Sequence, residues 1–135
     1  MRREVAFQIY LPQDEGPFPV VYLHHGLGNN FRTFARRTSV EKLCERYRLI
    51  AVMPDAGESW FVNDTRPGGL PWEDHLAAEL VDRVDADFPT IADRKHRAVA
   101  GFSMGGYGAM LLAVRHPERF GLGYAISGSM AFGHE

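Results

Sequence analysis

Apolar residues recur along this chain at two spacings, one suited to strands and one to helices, and the two alternate. Val5, Phe7, Ile9 and Leu11 are separated by polar or small residues and end at Pro12, the period of a strand with one face buried. Continuous apolar runs follow at 20–23, 49–54, 98–102 and 122–127, and such runs suit strands covered on both faces of a parallel sheet. Helical patterns lie between them. Thr38, with Glu41 three residues later, predicts a capping box opening a helix through Arg46, its buried side formed by Val40, Leu43 and Cys44. Trp72, Leu76, Leu80, Val84 and Phe88 recur every four residues among charged positions, and Pro89 closes that segment. A third helix is expected over 104–116, stopped by Pro117. Strands alternating with helices predict an α/β fold with a mostly parallel sheet and flanking helices. Without an internal repeat, low-complexity tract or linker, the expectation is one domain over 1–135.

Composition narrows the function classes. A formal net charge of -2 leaves no excess of Lys and Arg to neutralise phosphates, so neither nucleic acid nor an anionic membrane is expected as a partner. The one cysteine, Cys44, has no partner for an internal disulfide and reads as a small apolar filler. The basic start MRR is followed by EVAFQIYLP, which alternates and forms no apolar block, so a signal peptide is not expected and a cytoplasmic protein is.

The chemistry concentrates at AVAGFSMGGYGAML, residues 98–111, where glycines crowd around Ser103 between an apolar run and a helical pattern. A buried strand, then G-F-S-M-G, then a helix is the arrangement that presents a nucleophilic serine on a strained turn above the sheet. Gly101 and Gly105 flank Ser103 at two residues' distance, where a side chain would crowd the turn. With 14 glycines in the chain, random order gives roughly 0.05 matches to G-x-S-x-G, so chance is a poor explanation. A second signal is HHGLGNN, residues 24–30, directly after the run VVYL. A His-Gly-x-Gly loop at such a strand end is where serine hydrolases of this architecture place half of an oxyanion hole, here with Leu27 N–H and Met104 N–H as donors. His24 and His25 read as structural histidines bonding loop backbone. Neighbours in a strand point to opposite faces and do not readily share a metal ion.

These residues resemble the esterase D family of α/β-hydrolases, which includes S-formylglutathione hydrolase and small tributyrin-type and feruloyl-type carboxylesterases. The likeness runs through VVYLHHGLGNN, LIAVMPDAGESWFVND, HLAAELVDRVDADFP, AGFSMGGYGAMLLAVRHPERF and AISG, and the tributyrin-type branch is most similar. The resemblance implies Ser103 as nucleophile, Leu27 and Met104 as oxyanion donors, and Trp60, His25 and Gly26 at the substrate pocket. It also implies a small short-acyl ester as substrate and no metal or organic cofactor. Asp55 and Asp64 precede the nucleophile, so loop-capping roles are expected for them. The family's acid and histidine lie on loops after two further strands, so the chain is expected to be the N-terminal portion of such a domain. Only His116 and His134 follow Ser103; His116 is expected to cap a helix end, and His134 serves as base only if the terminus folds back over the sheet or a second chain brings its own His134 across an interface. Two other readings stay open: a hydrolase-fold module without catalysis, and acyl transfer through the same serine. An apolar strand left without its neighbours further predicts self-association or a complementing C-terminal segment.

Overall fold

The computed structural model describes residues 4–128. Five strands build one sheet in the order β1-β3-β2-β4-β5. They are β1 (Phe7–Tyr10), β2 (Val20–His24), β3 (Ile50–Pro54), β4 (Arg97–Phe102) and β5 (Leu122–Ile126). β1 runs antiparallel to β3, while β2, β3, β4 and β5 are mutually parallel. The helices are α1 (Thr33–Arg37), α2 (Val40–Tyr47), α3 (Trp72–Asp74), a π-helical turn (His75–Glu79), α4 (Leu80–Asp87) and α5 (Met104–Arg115). No described helix is long and apolar enough to cross a membrane.

Side-chain alternation divides the core between two faces. On one, Val20 and Tyr22 of β2, Ile50 and Val52 of β3 and Val99 of β4 pack against Leu76, Leu80, Val81 and Val84, and against Met104, Ala109 and Leu112 of α5. On the other, Ala51 and Met53 of β3 meet Val40 and Cys44 of α2, with Val21, Leu23 and Phe34 alongside. Burial pushes the Cys44 thiol up to about 11, so it stays an uncharged filler.

Several expectations are corrected in detail. α2 begins at Val40 with Ser39 as N-cap and no side-chain capping bond, so the capping box is absent. Thr38 instead ends α1, its hydroxyl donating to Phe34 O, and its Oγ1 accepts from Val40 N–H at 3.2 Å. Leu43 is 47% exposed, so only Val40 and Cys44 form the buried side of α2. The four-residue recurrence from Trp72 to Phe88 would drift about 40° per step around an ideal helix of 3.6 residues per turn. The wider π turn at His75–Glu79 absorbs part of that drift and keeps Leu76, Leu80 and Val84 against the sheet. β5 was expected to be covered on both faces. Among the described residues Leu122, Tyr124 and Ile126 stay 53–63% exposed on one face, while Gly123 and Ala125 turn toward α5.

Candidate active site

β4 runs into α5 through Ser103, whose backbone sits at φ 52°, ψ -120°, outside the regions comfortable for an L residue. Ser103 N–H donates to Ile126 O at 3.1 Å and Tyr107 N–H donates to Ser103 O at 3.1 Å, so both neighbouring elements hold this conformation. The hydroxyl makes no capping bond, and α5 presents its N-terminal N–H groups and positive dipole end there.

The glycines explain how so sharp a turn fits. A Cβ on Gly105 would lie 2.2 Å from His24 O and 2.5 Å from His25 O, and one on Gly101 would lie 2.4 Å from Gly105 O. These are backbone contacts that no rotamer change relieves. The close approach brings the loop after β2 against the start of α5, and the pairing of His24 with Gly101 puts that loop beside Phe102 and Ser103. Within the loop, Asn29 N–H donates to Gly26 O at 3.1 Å, and Gly28 takes φ 78°, as the turn requires. Leu27 projects from it, 54% exposed.

Both histidines of the β2 end are buried. His25 Nε2 accepts from Ala56 N–H at 3.1 Å, which leaves the ring hydrogen on Nδ1, facing Gly26 O at 2.9 Å. His25 thus ties the ends of β2 and β3 together from beneath the loop. His24 stacks on Phe61, ring centroids 4.1 Å apart, and its Nδ1 has no partner among the described residues. Burial, then the neighbouring His25, lowers its pKa from 6.5 to about 3. The unfolded chain therefore takes up a proton below about 6.5 that the folded chain refuses until about 3, and acid favours unfolding. Urea unfolding is expected to show stability complete above pH 6.5 and falling toward pH 3 by about 1.4 kcal/mol per pH unit from this group, a slope that His24→Phe removes.

Phe61 went unanticipated. It is fully buried, with φ 61°, and fills the space where a Cβ on Gly108 would come within 2.6 Å of its own Cβ. Trp60 before it has φ 57°, stands edge-on to Tyr107 at 5.9 Å, and lines a cavity of about 740 Å³ with Asn63, Asp64, Arg66 and Trp72. Asp55 and Asp64 cap their loops as expected: Asp55 accepts from Gly57 N–H at 3.0 Å, and Asp64 accepts from Arg66 N–H at 3.1 Å and pairs with its guanidinium. At Ser103 itself a second cavity of about 460 Å³ opens, walled by Thr33, Phe34, Phe102 and Ile126. α1, which supplies part of that wall, has no buried residue and no periodic signal; the spacing of Phe31 and Phe34 is its one trace in the sequence. His116 caps α5 and meets Glu73 Oε1 at 3.0 Å, away from Ser103. His134 lies outside the described residues. Among the described residues no group of three or more His, Cys, Asp or Glu side chains could hold a metal ion.

A mostly parallel sheet with flanking helices is the architecture of the α/β-hydrolase esterases, and comparison with known proteins agrees. The pattern of the family described as Esterase matches residues 1–132, and the chain belongs to that family. An esterase of Mycobacterium tuberculosis is 39% identical over 116 residues, covering 82% of this chain and 25% of its own length. A fluorophosphonate-binding serine hydrolase of Staphylococcus aureus superposes with a TM-score of 0.82 at 28% identity, over 90% of this chain and 50% of that one. An S-formylglutathione hydrolase from the same organism gives 0.81 at 28% identity, over 92% and 51%. The chain thus spans about half the length of these solved relatives and a quarter of the mycobacterial one.

Proposed function

We propose that this chain carries the nucleophile and oxyanion donors of a serine carboxylesterase acting on small, short-acyl esters. The observation carrying the reading is the backbone of Ser103, φ 52° and ψ -120°, at the head of a helix twelve residues long. That strain is worth about 1–3 kcal/mol and persists only where surrounding structure enforces it. Ser103 Oγ bonds to the ester carbonyl carbon while its proton passes to a base. The N–H groups of Leu27 and Met104 hold the developing oxyanion, the alcohol leaves with a proton, and water then releases the acid. Gly26 and His25 shape the loop beneath Leu27, Trp60 walls the neighbouring cavity, and the space of about 460 Å³ beside Ser103 suits a small acyl or alcohol group. No cofactor enters this chemistry.

The base is not among the described histidines, each of which is engaged elsewhere: His24 with Phe61, His25 with Gly26 and Ala56, His75 with Glu79, His96 with Asp93 and His116 with Glu73. The 135-residue chain alone is therefore expected to be a feeble esterase, its residual rate about 10³ to 10⁴ over water, with His134→Ala changing little. The test is pre-steady-state release of p-nitrophenol. A burst with p-nitrophenyl acetate larger than with the palmitate ester, together with an acetyl adduct on Ser103 by mass spectrometry, supports the reading. Absence of any acylation at high protein concentration leaves the fold as a module without catalysis.

The open face of β5 bears on assembly. Leu122, Tyr124 and Ile126 form an apolar row at a sheet edge, exposed among the described residues, and such edges invite pairing. The isolated chain is expected to self-associate or to require a complementing segment, read by light scattering; a monodisperse monomer with cooperative thermal unfolding contradicts this.

A further inference from the structure

The cavity at Ser103 has a polar neighbour that the ester chemistry leaves unused. A smaller space of about 150 Å³ adjoins it, lined by Gly28, Asn29, Asn30, Thr33, Arg36 and Arg37. Asn29, Thr33 and Arg37 line both spaces, so the two form one cleft, apolar beside Ser103 and cationic at its far end. Among the described residues the charge there has no carboxylate partner. Arg48, Arg66, Arg83, Arg97, Arg115 and Arg119 are each paired with a carboxylate. Arg32, Arg36 and Arg37, within a six-residue stretch, have no carboxylate at ion-pair distance among the described residues, although Asp and Glu outnumber Lys and Arg in the chain by 17 to 15. Arg32 lies over the Phe31 ring, which leaves Arg36 and Arg37 facing the cleft. Both are exposed, so each keeps its donors available to an incoming anion. A guanidinium at the end of an apolar slot is the arrangement that recognises a carboxylate carried on a short hydrocarbon body.

Resting on the assignment of Ser103 as nucleophile, we propose that this cleft selects esters whose bound part carries a carboxylate a few carbons from the scissile bond, with Arg37 as the residue that sets the preference. The apolar body lies against Phe34, Phe102 and Ile126, and the carboxylate meets Arg37, with Arg36 adding to the local positive potential.

The test compares matched anionic and neutral esters on the 135-residue chain: p-nitrophenyl hydrogen glutarate against p-nitrophenyl pentanoate for the acyl side, and 4-acetoxybenzoate against its methyl ester for the alcohol side. The acylation-rate ratio is expected to favour the anionic member of at least one pair by about tenfold, and to lose most of that preference in Arg37→Ala, less in Arg37→Lys, and none in Arg83→Ala. Raising the salt to 1 M, where the Debye length is about 3 Å, is expected to shrink it as well. Ratios within twofold of one for both pairs, or a preference that survives Arg37→Ala, overturn the proposal. Binding separates this outcome from a failure of the nucleophile assignment. Followed by NMR shift perturbation, 3-phenylpropanoate is expected to bind about tenfold more tightly than 3-phenylpropanamide whether or not the chain acylates, and equal affinities overturn the proposal even if it does.

Discussion

Replacing Ser103 by glycine is expected to abolish acyl-enzyme formation and at the same time to stabilise the fold by about 1 kcal/mol. Loss of the hydroxyl removes the only atom proposed to bond the acyl group, so burst amplitude and adduct should both vanish, a fall of at least ~10³ in acylation rate where that rate is measurable. The stability gain comes from φ 52°, ψ -120°, which a residue with a Cβ adopts at about 1–3 kcal/mol and glycine adopts freely. Glycine's looser unfolded state takes back about 0.5–1 kcal/mol of that. Urea midpoints for the native chain, Ser103→Gly and Ser103→Ala separate the two effects: both variants are inactive, and only the glycine variant gains stability. A glycine variant less stable than the native chain would show that the turn is unstrained and would remove the main support for Ser103 as nucleophile.

Gly105→Ala is expected to be a severely damaging methyl addition, lowering stability by about 3 kcal/mol or more. Its Cβ would sit 2.2 Å from His24 O, 2.5 Å from His24 C and 2.5 Å from His25 O, so either α5 or the loop after β2 must retreat. Overpacking typically costs about 1–3 kcal/mol where side chains can adjust, and here only backbone is in the way. Gly57→Ala is the control. Nothing lies within 4 Å of its added Cβ, but its φ is +54°, so about 1 kcal/mol of backbone strain is the whole expected effect. Comparable losses for the two variants in denaturant unfolding would contradict the close contact between loop and helix.

The strands were legible because a buried strand in a parallel sheet is apolar on both faces: β3 is buried at every position, while β2 and β4 alternate buried residues with half-buried ones. The same rule misread 122–127. Leu122, Tyr124 and Ile126 alternate with Gly123 and Ala125, and small residues made an exposed face and a packed one look like a single apolar run. Ser103 and its glycines stood out because their spacing is local, set within five residues of chain. The rest of the cleft is contributed by α1 and the loop before it, while the loop before α3 lines the separate cavity at Trp60. α1 buries nothing, and Phe61 reaches the core through a left-handed backbone that no pattern of polar and apolar residues announces. His24 could be placed as structural from its position, but its burial, which depresses its proton affinity, includes stacking on Phe61, 37 residues away in the sequence.

The π turn between α3 and α4 means that this helical segment holds one residue more than a regular helix would need to span the same length in the same phase. Removing a residue within His75–Glu79 would let the backbone close into ordinary α-helix with Trp72 and Val84 still aimed at the sheet. Removing one of residues 80–83 would instead rotate everything beyond it by about 100° and swing Val84 off the core. The helix thus carries a spare residue in its first half, and that is where its length can be shortened by one without turning its apolar side away from the strands.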